Sequence, residues 1–433
     1  MQLNKKPMKT KHKNISGSLA IATASLLGCV SHSTLVSAEE DWEIDTSVLY
    51  YSETGRVSLV EPIIRARKDF GDESFLNFKL VIDTLTGSSA NGAIPTTEAQ
   101  TFTSASGNST YSTPASEAPL DPNFRDNRVA ISVDWEHSLA KNWRASYGLN
   151  YSNEINYESI GVSTAFNRDF NQKNSTLTLG LSYNADSVNP IGGIPFAMTF
   201  MDVNGPSKAV KSGAEDKNVY DILIGWTQVI SRKDLMQFNF NYGNESGYLD
   251  DGYKILSVVD GATGDLSANL NQRYVYEKRP DSRTRQAAYW RWSHQFTTDV
   301  FRLSYRYFWD DWGITSHTVD SRYRWEFTKG QYLEPHARYY VQSAADFYNT
   351  SLIDTEVSPT TIASADYRLA DMISTTLGIK YGIEIGDSSE ISFRAEAISQ
   401  QADPSRVIGN QSNQDLVPDV NAVFFQLNYS IIF

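Results

Sequence analysis

The chain has 433 residues, a net charge of −13, 12% aromatic residues and a single cysteine. Such acidity excludes a general affinity for nucleic acid, and a lone cysteine excludes an intrachain disulfide. Beyond the N-terminal leader no apolar run approaches the length of a membrane-crossing helix, which excludes a helical membrane protein.

The leader itself has three parts. Lys5, Lys6, Lys9, Lys11 and Lys13 stand without an acid, a small and apolar stretch follows from Ile15 to Val30, and Val36-Ser37-Ala38 precedes Glu39-Glu40-Asp41. That order predicts a secretory signal peptide over residues 1–38 and one mature domain over 39–433. Leu26-Leu27-Gly28-Cys29 is also shaped like a lipoprotein cleavage box, so lipidation of Cys29 is the competing expectation.

From residue 42 onward the pattern has a period of two, which puts alternate side chains on opposite faces of a strand. Val129, Ile131, Val133 and Trp135 share one face; Leu177, Leu179, Leu181 and Tyr183 repeat the arrangement, as do Phe238, Phe240 and Tyr242. Strands are expected near 42–52, 56–68, 73–85, 125–138, 142–153, 157–169, 174–185, 217–230, 234–245, 283–297, 299–310, 314–328, 331–345, 371–385, 389–400 and 419–433. Nearly every segment is apolar on one face, and none is left to cover those faces as a second layer. The fold class predicted is all-β: a transmembrane antiparallel β-barrel of about 16 strands, with 14 to 18 open. An extra hairpin (Tyr253 to Val259 with Tyr274 to Glu277) would account for the higher number.

Gap lengths agree with this. Gaps after even-numbered strands are short, as at Phe70-Gly71-Asp72 and Lys329-Gly330. Every long gap (86–124, 186–216, 246–282, 346–370, 401–418) follows an odd-numbered strand. Short periplasmic turns and long extracellular loops are the barrel rule. The loops, rich in Ser, Thr, Gly, Asn and Pro, are expected to be irregular. The final strand ends on Phe433 with apolar residues at odd positions, the form by which outer-membrane assembly machinery recognises its clients. The expected location is the outer membrane of a Gram-negative bacterium, in contact with its lipid.

Several blocks are more specific. They are Asp83-Thr84-Leu85-Thr86-Gly87-Ser88-Ser89, Gly252-Tyr253-Lys254-Ile255-Leu256-Ser257 and Tyr276-Glu277-Lys278-Arg279-Pro280-Asp281-Ser282-Arg283. Asp310-Asp311-Trp312-Gly313-Ile314 and the run Gln342-Ser343-Ala344-Ala345-Asp346-Phe347-Tyr348 join them. Together they resemble the bacterial family catalogued as domain of unknown function 3570, across essentially the whole mature chain. The resemblance implies an exported outer-membrane β-barrel and assigns no activity. Neighbouring genes for a flavin transferase and a small lipoprotein, where the family has them, imply a place in envelope redox or cofactor traffic.

With aromatic residues outward, the lumen is expected to receive Arg283, Arg285, Arg291, Arg302, Arg306, Arg322, Arg324 and Arg338, with Glu326, Glu334 and Asp310 among them. Glu43, Asp45, Asp134 and Glu136 should form an acidic wall opposite. Arginine suits carboxylate and phosphate groups, and charged linings set ion preference, so a porin-like path for a small, possibly anionic solute is one reading. Lumenal pairing that only stiffens the interior, in a barrel that serves as a scaffold, is the other. Arg302, Arg306, Arg322 and Arg324 are expected in one patch, with Glu326 and Glu334 neutralising two at most. No enzymatic activity is expected: Ser293 and Ser316 point away from their neighbours His294 and His317. No His/Cys cluster has metal-ligand spacing and no cofactor is expected, although Asp250-Asp251 and Asp260 to Asp265 offer loop acids for calcium.

Overall fold

Alternating side chains build sixteen long strands that close on themselves. The computed structural model describes residues 42–103, 110–201 and 210–433; the leader at 1–38 and Cys29 lie outside the described residues. The strands are β1 (Trp42–Glu53), β2 (Val57–Asp69), β3 (Phe75–Ala90), β4 (Leu120–Ala140), β5 (Trp143–Asn153), β6 (Tyr157–Phe170), β7 (Ser175–Val188) and β8 (Glu215–Val229). The second half has β9 (Asp234–Gly247), β10 (Ser282–Gln295), β11 (Val300–Asp310), β12 (Thr315–Thr328), β13 (Gln331–Gln342), β14 (Met372–Ile385), β15 (Ser389–Ala402) and β16 (Val420–Ile432). Each pairs with its sequence neighbours, and β1 pairs antiparallel with β16 from Glu43↔Ile432 to Glu53↔Ala422. Closure leaves no sheet edge unpaired. The strand number is sixteen.

The outer face is apolar. Leu149 is 64% exposed and Leu377 61%, which no water-facing surface of this breadth would tolerate and a bilayer requires. Aromatic residues ring the band at both ends: Trp135, Trp143, Trp226 and Trp325 toward the short turns, Tyr50, Tyr151, Tyr220 and Tyr339 toward the loops. The lumen face carries polar groups and small residues that admit them. A Cβ at Gly382 would run into the Tyr332 ring, and one at Gly243 into Arg285 and Asp221.

β3 and β4 run past their expected ends, to Ala90 and from Leu120, and stand above the rim. Their register shifts between Gly87 and Ser89. Gly87 has φ 131°, and a Cβ there would strike the Arg56 carbonyl oxygen, so this bulge needs glycine.

The long loops are not irregular, contrary to the sequence expectation. They fold into a cap with its own core. Ile255–Val259 is the centre of a three-stranded sheet, antiparallel to Tyr274–Tyr276 and parallel to Ser351–Ile353. All five of its residues are buried, as suits a strand covered on both faces, and the one polar residue among them, Ser257, accepts the Ile94 N–H at 3.1 Å. Met198, Leu256, Val258, Val275, Leu352 and Ala363 form one apolar cluster; Phe102, Tyr111, Ile255 and Tyr274 belong to another. The hairpin that could have added barrel strands is therefore real but lies in the cap.

Candidate functional site

The lumen-facing arginines are mostly neutralised by acids on neighbouring strands. Arg283 meets Asp310 at 2.5 Å, and Asp310 also accepts the backbone N–H groups of Trp312 and Ile314, which fixes the β11–β12 turn. Arg285 lies 3.1 Å from Asp221 and 2.8 Å from Glu245. Arg302 pairs with Glu334 at 3.3 Å. Asp320 receives Arg322 at 3.3 Å, Arg338 at 2.9 Å and His336 Nε2 at 2.8 Å, while His336 Nδ1 lies 2.9 Å from Glu396. Arg324 sits 3.5 Å above the Tyr332 ring and 4.0 Å from Glu390, which also accepts the Tyr332 hydroxyl. Arg291 is half-buried on the same face.

Three expectations are corrected here. Of the two glutamates expected to neutralise two arginines at most, Glu334 pairs with Arg302, but the expected excess of positive charge is not there: Asp320 takes Arg322 and Glu390 lies 4.0 Å from Arg324, which leaves Arg306. Glu326 instead accepts the Gly330 N–H at 3.4 Å, in the turn between β12 and β13. The four arginines also do not form one patch. Register places Arg302 opposite Arg322 and Arg324 opposite Val300, whereas Arg306 faces Thr318, nearer the loops. Nor is there an unbroken acidic wall. Glu43 pairs with Arg67 at 3.5 Å, Glu136 with Arg144 at 3.8 Å, and Asp45 accepts the Ser430 hydroxyl. Charges close to one another in a narrow lumen are cheapest as local pairs.

Above these pairs, between the lumen wall and the underside of the cap, lies a chamber of about 850 Å³. Its wall includes Asp126, Glu154, Tyr157, Lys217, Arg283, Arg306, Phe308 and Tyr340; its roof includes Tyr248, Asp250, Tyr253, Arg279, Asp366 and Arg368. Arg306 is exposed to this space, with its guanidinium 5.7 Å from the Phe308 ring. Among the described residues it has no carboxylate within ion-pair distance.

The roof is held by an ionic network that sequence reasoning did not find. Glu277 is fully buried: Arg279 Nε lies 2.7 Å from its Oε1, and it accepts the Asp251 N–H at 2.6 Å and the Ser364 hydroxyl at 2.5 Å. Asp366 takes Arg279 at 3.0 Å and Arg368 at 2.5 Å. Burial pushes the Glu277 carboxyl up to about 7, against the pull of Arg279. Burial would raise Asp366 as well, but Arg368, then Lys254 and Arg279, hold it well below the usual carboxylate range. The blocks Tyr276 to Arg283, Asp310 to Ile314 and Gln342 to Tyr348 supply the fastenings. Gln342 Nε2 donates to the carbonyls of Arg368 and Ala370, and the Asp346 N–H to the carbonyl of Trp312. The Tyr276–Arg283 block stood out in sequence; its partners Asp366 and Arg368 lie in a stretch with no periodicity to mark them.

The remaining candidates are accounted for locally. His317 Nδ1 meets the Tyr305 hydroxyl at 2.6 Å and His294 Nδ1 meets Asp234 at 2.7 Å. Among the described residues no group of three His, Cys, Asp or Glu side chains is placed to hold a metal. The Asp260 carboxylate accepts the backbone N–H groups of Ala262 and Thr263 and closes its own turn.

A family model described as a protein of unknown function (DUF3570) matches residues 16–431. No curated protein matches the chain. Among solved structures it is similar to CdiB from Acinetobacter baumannii (TM-score 0.45, 7% identity), covering 92% of this chain and 61% of that one. It is also similar to the siderophore receptor PirA from Acinetobacter baumannii (0.42, 8%), covering 90% and 58%. For the outer-membrane protein opdK from Pseudomonas aeruginosa the values are 0.39 and 8%, covering 91% and 99%. The chain thus spans about three fifths of the length of CdiB and PirA.

Proposed function

The chain belongs to the DUF3570 family, and from that premise we propose that it is an outer-membrane β-barrel through which a small polar solute is bound and passed, under a cap made of its own loops. The observation that carries this reading is the chamber. Its volume of about 850 Å³ falls within the range of small-molecule sites, roughly 300–1,000 Å³. Aromatic faces and charged groups converge on it from both wall and roof. The apolar belt and its aromatic rims support a bilayer setting, with the short turns periplasmic and the cap outside. Export by the leader at residues 1–38, and assembly through the strand ending at Phe433, belong to the same reading. An anionic group on the solute would find Arg306 rather than an arginine wall, because the deeper arginines are occupied. The reading is non-enzymatic.

A second reading has its own observation behind it. The paired charges from Arg302 to Glu396 span the lower lumen, and the cap is a folded unit with its own core, as a non-conducting scaffold for an envelope redox or cofactor partner would have. Planar-bilayer conductance of the refolded full chain separates the two. Transport predicts a small conductance that rises several-fold when Leu256→Asp disrupts the cap core. If neither protein conducts, while both show the heat-modifiable migration of a folded barrel, the scaffold reading replaces it.

A further inference from the structure

The chamber is electrically polarised, and its unmatched charges lie on nearly opposite walls. Most lining charges are already satisfied: Arg283 by Asp310, Lys217 by Asp186 at 3.4 Å, Glu245 by Arg285, and Arg279 and Arg368 by the cap network. Asp250 accepts the Arg279 backbone N–H within the roof. On the barrel wall three remain without an ion pair: Arg306 on β11, Asp126 on β4, whose carboxylate accepts the Ile155 backbone N–H at 3.3 Å, and Glu154 in the connection after β5. None has an opposite charge within ion-pair distance among the described residues. The Glu154 carboxyl lies beside that of Asp126; burial, then Asp126, pushes it up from its ordinary range. Two adjacent half-buried carboxyls gain from a cation, and an unpaired guanidinium above a phenyl ring gains from a carboxylate.

β4 and β11 are separated by roughly half the circumference. Sixteen strands spaced about 4.8 Å apart enclose a ring roughly 25–30 Å across. Side chains reaching in from both walls leave on the order of 15 Å between the charges. An extended chain covers about 3.3–3.6 Å per residue, so the gap corresponds to roughly four residues. Tyr157, Tyr248, Tyr253 and Tyr340 line the space between and offer rings and hydroxyls to a backbone.

We infer that the ligand is an extended zwitterion of short-peptide size, with its terminal carboxylate on Arg306 and its terminal ammonium at Asp126 and Glu154. This rests on the solute-binding reading above and gives that solute its chemical class. A single amino acid is too short to reach both ends, and a dianion would leave the acidic end repelled.

Titration calorimetry on the folded, detergent-solubilised full chain tests it, using tetra-alanine, its C-terminal amide and its N-acetyl form. Each cap on a terminus should weaken binding about tenfold or more, the loss of one charged hydrogen-bonded contact. In Arg306→Gln the amide should cost nothing further, and in Asp126→Asn/Glu154→Gln acetylation should cost nothing further. Arg306→Lys should keep most of the preference for the free carboxylate. Equal binding of all three peptides, or no binding of any, overturns the inference. Proteoliposome uptake separates it from its premise. Termini-dependent binding without uptake would sink transport and leave the ligand class standing; uptake indifferent to the termini would do the reverse.

Discussion

The barrel wall and the cap are built by opposite means. Each wall strand is stabilised by the strands on either side of it, and its outer side chains touch only those of nearby strands, as Trp226 touches Phe238 and Phe240 touches Trp309; Leu149 and Leu377 would face lipid. The cap's core instead draws Met198, Leu256, Val275, Leu352 and Ala363 from three separate loops. Its polar centre, Glu277 with Asp366, joins two of those loops across four barrel strands. The wall is thus a local structure repeated around a ring, whereas the cap is one non-local structure made once. Damage to the wall should be read out in assembly, and damage to the cap in access.

The largest effect that would sharpen this contrast is expected in the cap. Asp366→Asn removes the shared partner of Arg279 and Arg368 and leaves the buried Arg279 guanidinium with Glu277 alone, while the exposed Arg368 is rescued by water; the loss is about 3–5 kcal/mol, from the buried pair. Hydrogen exchange in Ile255–Val259 should rise toward that of an open loop while heat-modifiable migration persists. Loss of the folded barrel in this variant would mean that cap and wall are not separable.

Next in size is Leu377→Arg on the outer face. An arginine facing the bilayer core costs about 2–4 kcal/mol, and the expected result is a lower midpoint of urea unfolding in lipid vesicles with cap exchange unchanged in the folded fraction. An unchanged midpoint would show that this face does not meet hydrocarbon.

The smallest effect is a dependence on pH. Glu277 stands at about 7, above the ordinary carboxyl value of 4.5, so its contribution to cap docking is fully present below about 4.5 and is lost as pH rises through 7. Protection of the cap amides, corrected for intrinsic exchange, should fall between pH 5 and pH 8. Glu277→Gln, a permanent neutral mimic, should flatten that slope; an identical slope in both proteins would assign the titration elsewhere.

The same contrast explains what could be read in advance. Strand positions were legible because alternation such as Leu177, Leu179 and Leu181 is written locally, and the inward placement of the arginines followed from it. The Arg302–Glu334 pair joins strands two apart in the barrel, and both residues were among the lumen candidates. Which charges would be left over was not legible, because it depends on register. Arg306 faces Thr318 while Asp320 faces Ser304; a slip of two residues would have paired them. Ile255 to Val259 showed its hairpin partner nearby, but its other neighbour, Ser351 to Ile353, lies beyond four barrel strands, where no local pattern can point.

That parallel pairing sets an order of events in time. Its crossover connection is β10 to β13 themselves, so Ser257 and Ser351 cannot meet until those strands exist and their ends are brought to one rim. Gln411, beyond β15, then donates to Ser351 and to the Gly264 carbonyl. Contacts so distant along the chain form slowly, because loop closure must come first. Closure of the barrel is therefore expected to precede closure of the cap, with the loop-side mouth covered last.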